Sequence, residues 1–189
     1  GHPAIVGAIT EQAQRLDHVM LAGFTHEPAV RLAEGLLAAA PGDYGRVFYA
    51  DCGSAAIEVA MKMSFQWRRQ NGEPKRQRFA ALRNSYHGET LGALGVSGTE
   101  AYRDLFAPLL PDVLYLPAPA FEGHAHADLA TDLGADSPEA EAAVALLRAH
   151  AEELTALVVE PLVQGAGKMA MTGAGFHPRL VREAQALGI

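Results

Sequence analysis

Cysteine is nearly absent. Cys52 is the one thiol in 189 residues, which excludes an internal disulfide framework and a multi-thiolate metal site, and suits a reducing cytoplasm. No apolar run approaches the roughly 18 residues read as a membrane span. Positive charge is also scarce. With 15 Lys and Arg against 22 Asp and Glu, the net charge is -7 and the pI about 5.6. Nothing therefore draws the chain broadly to nucleic acid or to an anionic membrane, and neither is expected as a partner. A small phosphorylated ligand stays open. A start methionine and a signal-type segment are lacking too: the sequence opens Gly1-His2-Pro3 and closes on Gly188-Ile189 after an amphipathic stretch, so both ends are expected to be cut. What is present, 49% hydrophobic and 20% charged residues, is the balance of a soluble globular chain with a real core.

Periodicity predicts helices over Ala4 to Asp17 and Glu27 to Ala40, the second with Ala29, Leu32, Ala33, Leu36 and Leu37 on one face and Pro41-Gly42 stopping it. Arg46 to Ala50 reads as a short buried strand, followed by Gly53-Ser54 and a helix to about Gln70, ended by Asn71-Gly72. Further strands are expected at Phe79 to Leu82, Val113 to Leu116 and Ala156 to Val159, and further helices at Glu139 to Leu154 and Pro178 to Leu187. The glycine-punctuated stretch through Gly92, Gly95 and Gly98 has only a weak helical pattern, and Pro119 to Pro138 reads as a long loop. Strands alternating with helices imply an α/β layer with a mainly parallel sheet and flanking helices.

Three segments carry candidate chemistry. Asp51-Cys52-Gly53-Ser54 lies where a strand meets a helix amino end, where unpaired amides, the helix dipole, a glycine and a hydroxyl suit a phosphate. Those residues alone read first as a turn made by Gly53 with Ser54 capping the helix. Tyr86-His87-Gly88 follows the next strand and offers an aromatic face to a planar heterocycle; alone, a loop Tyr packs and a loop His is solvated. Glu160-Pro161 precedes Gln164-Gly165-Ala166-Gly167 and either tunes protonation and holds a cationic group or caps a turn. All three follow strands, so a parallel sheet brings them to one edge.

Other signals carry less. Gly167-Lys168 is not a P-loop, because Leu162 and Met169 stand where that pattern needs Gly and Ser or Thr. His124, His126 and Asp128 lack a fourth metal ligand at suggestive spacing, and no metal is expected. His18 and His26 read as packing or site-lining residues. Cys52 has no paired base and reads as a small packed residue. Met61, Met63, Phe65 and Trp67 read as core or subunit-contact residues of one helix.

On these residues the chain resembles the class III, fold-type I, pyridoxal-phosphate (PLP) dependent aminotransferases. The carrying segments are His18 to Ala29, Phe48 to Met63, Arg83 to Thr90 and Val158 to Gly167, whose order and spacing cover most of the sequence. Tyr-His-Gly and Glu-Pro are general to the class, whereas the His-Val-Met and Asp-Cys-Gly-Ser contexts resemble the branch that serves biotin synthesis. The resemblance implies a partial fold-type I large domain over residues 41–189, with residues 1–40 a helical segment leading into it. It implies that Gly53 and Ser54 hold the PLP phosphate, that Tyr86 stacks near the pyridine ring and contacts substrate, and that His87 and Glu160 lie beside the site. It further implies S-adenosylmethionine as amino donor, 8-amino-7-oxononanoate as acceptor, and a cytoplasmic homodimer.

Cys52, Glu89 and Lys168 stand where the family usually has Ser, Asp and Gly. Such enzymes also use an aspartate at the pyridine nitrogen and a Schiff-base lysine. Lys62, Lys75 and Lys168 do not match that lysine, so no catalytic residue is assigned and the 189-residue chain alone is expected to be inactive. The alternatives are another class III member, such as an ω-amino acid transaminase or glutamate-1-semialdehyde aminomutase, a non-catalytic binding module that kept the pocket, and an unrelated nucleotide-binding α/β domain.

Overall fold

A computed structural model describes residues 1–120 and 134–189, so His124, His126 and Asp128 lie outside the described residues. The chain divides into two units, Gly1–Tyr49 and Ala50–Ile189. The first contains α1 (Pro3–Arg15) and α2 (Glu27–Ala39). Both start with proline in the first turn, where its missing N–H costs nothing. Both are capped by a histidine: His2 Nδ1 accepts from Ala4 N at 3.3 Å and His26 Nδ1 from Ala29 N at 3.4 Å. His26 is thus a helix cap.

Arg46 to Ala50 forms no strand. No neighbouring strand among the described residues pairs with it, and Phe48 is exposed. A backbone run with β-type residues but no ladder partner does not become sheet, however suitable its side chains.

The second unit opens with α3 (Gly53–Gln70), begun by Cys52, whose Sγ accepts from Ala55 N at 3.4 Å. It ends at Asn71 and Gly72, the glycine supplying φ +78°. Then come β1 (Arg78–Leu82), α4 (Leu91–Val96), α5 (Glu100–Arg103), a 3-10 turn (Asp104–Leu109) and β2 (Val113–Leu116). After them follow α6 (Pro138–His150), β3 (Leu154–Val158), β4 (Val163–Gln164), β5 (Ala170–Met171) and α7 (Phe176–Ala186).

β1 is central in a sheet ordered β2-β1-β3 and parallel to both neighbours, as the α/β pattern predicted. Its side chains alternate between two cores. Ala80 and Leu82 join Leu116, Leu147, Leu154, Phe176 and Leu180 beneath α6 and α7, while Phe79 and Ala81 join Met61, Val96 and Val113 beneath α3 and α4. Of the apolar residues on α3, Met61 is core, whereas Met63, Phe65 and Trp67 are exposed.

The helix expected to reach Leu154 stops at His150. Glu153 O accepts from Gln77 N and Arg78 N at 2.8 and 3.0 Å, and this pairing to β1 turns Leu154 into the first residue of β3. α7 begins two residues before Pro178, which a first helical turn tolerates. The glycine-rich segment after Glu160 closes as a β4–β5 antiparallel pair, which no periodicity signalled. At the amino end of β3, the buried Arg68 donates Nε and Nη2 to Thr155 O at 3.2 and 2.9 Å and Nη2 to Gly188 O at 2.6 Å, tying α3 to β3 and α7.

Candidate functional site

The carboxyl ends of β1 and β3 and the amino end of α3 meet on one side of the sheet. Cys52 Sγ and O cap Ala55 N and Ala56 N. The N–H groups of Gly53 and Ser54 make no hydrogen bond among the described residues, as expected for a first helical turn. Apart from its chain neighbours and the helix's own backbone, no atom of the described residues lies within 4 Å of the place a Gly53 side chain would occupy. Two unpaired amides, a helix dipole and an open approach make a seat for an anion.

The loop after β1 is drawn over that seat. Ser54 Oγ accepts from Glu89 N at 3.2 Å. Gly88, buried with φ +137°, is pressed so closely to Ser54 that a Cβ would lie 2.8 Å from Ser54 Cβ. Beside it the Tyr86 hydroxyl donates to Glu89 Oε1 at 2.9 Å, and that bond raises the phenol above its ordinary pKa. The ring meets Tyr102 edge-on, with centroids 5.8 Å apart. His87 N donates to Ser97 Oγ at 2.9 Å, while Nε2 is buried with no partner among the described residues. Burial pushes the imidazole below its ordinary pKa and outweighs the opposing pull of the Glu160 charge, so the ring is neutral at pH 7.

Glu160 joins this loop to the one after β3. Its Oε2 accepts from Tyr86 N at 3.1 Å and its Oε1 from Gly165 N at 2.8 Å, so both oxygens are engaged by backbone. Gln164, buried, donates Nε2 to Arg83 O at 2.7 Å. Gly167 backs onto Asn84 so tightly that a Cβ would stand 2.5 Å from its carbonyl oxygen. Leu162, Lys168 and Met169 take φ of 64°, 62° and 57°, so the segment holds three non-glycine residues in the left-handed region.

The three sequence-identified elements, Gly53-Ser54, Tyr86-His87 and Glu160, are therefore linked, Glu160 directly through Tyr86 N and Ser54 through Glu89 of the same loop. Cys52 is exposed and serves as the cap. Sequence reasoning noted Glu89 only as standing for the family's usual aspartate, without its contacts to Tyr86 and Ser54, and passed over Glu58 and Ser97, which anchor α4. A polar residue four positions after Ser54 on the same helix face was the available signal for Glu58. The seat suits a small, planar, phosphorylated ligand. Its polar loops supply an anion site and an aromatic face.

The family model described as aminotransferase class-III matches residues 1–187. A Geobacter sulfurreducens protein named adenosylmethionine-8-amino-7-oxononanoate aminotransferase is 40% identical over 175 residues, covering 89% of this chain and 37% of that protein. A Synechococcus elongatus protein of the same name is 40% identical over 191 residues, covering 99% and 42%. The crystal structure of the Methanocaldococcus jannaschii protein of that name superposes with a TM-score of 0.89 at 26% identity, over 100% of this chain and 40% of that one. The Pseudomonas jessenii ω-transaminase solved in complex with PMP shares the fold, with a TM-score of 0.85 at 22% identity over 100% and 42% of the two chains. This chain thus spans about two fifths of the length of these relatives. With the family model matching nearly every residue, and a parallel sheet whose strand ends carry the site, the chain belongs to the class-III aminotransferases.

Proposed function

We propose that this chain is the amino-terminal part of the PLP-binding large domain of an aminotransferase that moves an amino group from S-adenosylmethionine to 8-amino-7-oxononanoate in biotin synthesis. Residues 41–189 belong to that domain and residues 1–40 lead into it; the complete enzyme is a cytoplasmic homodimer. One observation carries the cofactor assignment: the unpaired amides of Gly53 and Ser54 lie beneath the Tyr86 loop that Glu160 and Ser54 pin in place. The names of the relatives at 40% identity support the choice of substrates.

The residues fit the cofactor. An open glycine at a helix amino end takes a phosphate, and the Gly53 and Ser54 amides there have no partner among the described residues. PLP, when bound, supplies the carbonyl carbon that accepts and releases the amino group and the ring that absorbs the resulting charge. The Gly53 and Ser54 amides hold the phosphate, with the α3 dipole favouring its charge. Tyr86 covers the ring and faces substrate. His87, held neutral by burial, adds no positive charge beside the site. Glu160 fixes where Tyr86 sits. The lysine and aspartate that complete such chemistry find no match among these residues.

The test is a donor screen on the complete protein with bound PLP. S-adenosylmethionine is expected to convert the bound cofactor to its amine form, and 8-amino-7-oxononanoate to reverse it. Conversion by ω-amino acids or simple amines but not by S-adenosylmethionine overturns the substrate assignment in favour of another class-III reaction. Tight binding of PLP with no amino transfer from any donor favours a binding module. Measurable turnover by the 189-residue chain alone would refute the assignment of the reacting lysine to another segment.

A further inference from the structure

Ser54, Glu58 and Lys62 recur every four residues on α3 and so share one face. Ser54 holds Glu89 N, and one turn on, Glu58 Oε1 accepts from Gly92 N at 2.7 Å and Ala93 N at 3.3 Å. α4 has Thr90 at its N-cap, but that side chain makes no capping bond; the Glu58 carboxylate takes over the capping. Burial alone would raise the Glu58 carboxyl, but Thr90, the Gly92 and Ala93 amides and the Lys62 charge together hold it below its ordinary pKa. Gly92 is fitted to this contact, since a Cβ there would lie 2.8 Å from Glu58 Cδ.

The other end of α4 is tied to the site. Ala93 to Val96 are buried, Ser97 Oγ donates to Ala93 O at 2.9 Å, and the same oxygen accepts from His87 N at 2.9 Å. Ser85 Oγ donates to Leu82 O at 2.7 Å and accepts from Gly98 N at 3.3 Å. The six residues of α4 are therefore a strut, fixed to α3 by Glu58 at one end and to the Tyr86-His87 loop by Ser97 at the other.

We infer that Glu58 is a positioning residue which, by capping α4 from the face of α3 that carries Ser54, sets where Tyr86 and His87 stand over the cofactor phosphate seat. This rests on the PLP reading above. Glu58 itself stands a helical turn beyond the seat and touches no reacting atom. Loss of its carboxylate frees the start of α4, and with it the Ser97 oxygen that orients His87.

The test uses the complete holoenzyme as wild type, Glu58→Gln and Glu58→Ala. The readouts are the PLP dissociation constant by equilibrium dialysis and the visible circular-dichroism band per bound cofactor at saturation. Loss of two charge-assisted hydrogen bonds predicts about tenfold weaker PLP binding in Glu58→Ala, with a diminished band even when every site is filled. Glu58→Gln falls between, because its amide oxygen still accepts from Gly92 N. A residue that merely stabilises α4 would lower the melting temperature and leave the saturated band unchanged, and that result overturns the inference. So does wild-type affinity in both variants. If Glu58→Ala does not fold, the band of Glu58→Gln decides alone. A wild type that binds no PLP sinks the functional reading; variants matching a competent wild type sink only this one.

Discussion

Replacing Gly88 with alanine strikes the contact that seals the site. Gly88 has φ +137°, where a side chain is strained, and its Cβ would fall 2.8 Å from Ser54 Cβ and 3.0 Å from Ser54 Cα, on a helix that cannot retreat because Met61 anchors it in the core. Backbone strain of about 1–3 kcal/mol adds to overpacking of about 1–3 kcal/mol. The total is roughly 2–6 kcal/mol if the loop stays in place, against a domain stability of about 5–15 kcal/mol. With an m-value of about 2 kcal/mol per molar urea, the unfolding midpoint falls by about 1 M or more. The loop can escape only by lifting from α3, which breaks the Glu89–Ser54 hydrogen bond and uncovers the phosphate seat. Urea unfolding and PLP titration of the complete protein together capture both routes. A Gly88→Ala variant with unchanged midpoint and unchanged PLP affinity would refute the close packing described here.

Three further outcomes are expected. Burial holds His87 and His177 below the ordinary imidazole value of 6.5, so the unfolded chain binds protons that the folded one refuses. Stability is complete above about pH 7 and is lost as pH falls below 6.5, by up to about 1.4 kcal/mol per pH unit for each group. His177, whose Nδ1 is buried with no partner among the described residues, should be a main contributor, and the urea midpoint of His177→Leu should vary less between pH 7.5 and 5.5 than that of wild type. Arg68→Ala removes the guanidinium that bonds the Thr155 and Gly188 carbonyls and should cost about 2–4 kcal/mol by urea unfolding. Arg68→Lys should recover less than half, since a point charge cannot reproduce the fork. Lys168→Gly relieves a left-handed residue at φ 62°; relief and greater unfolded-state freedom oppose, so thermal unfolding should show a neutral to about 1 kcal/mol more stable chain.

What was legible in the sequence was local or periodic. The start of α3 follows from a strand-like run giving way to Gly53-Ser54, and its end from Asn71-Gly72. The parallel sheet follows from strand and helix alternation, and the meeting of Tyr86 and Glu160 follows from each standing after a strand of that sheet, while Ser54 joins them although the strand expected before it does not form. What escaped depends on partners distant in sequence. Arg46 to Ala50 has strand-forming residues but finds no ladder. Leu154 has helical neighbours but is claimed by Arg78. The Glu58–Gly92 hydrogen bond spans 34 residues, and nothing within either segment announces the other. The β4–β5 pair depends on three left-handed residues, of which neither Leu nor Met signals such a turn.

The central claim is that the amino end of α3 is the seat of the PLP phosphate, and Ser54→Asp tests it most directly. An aspartate there still accepts from Glu89 N and its charge suits the first turn of α3, so the fold survives, but it places a fixed negative charge where the phosphate sits. The account predicts a variant of the complete protein with a wild-type urea midpoint and at least about a hundredfold loss of PLP affinity by absorbance titration. Wild-type PLP affinity in that folded variant would contradict it and place the cofactor elsewhere.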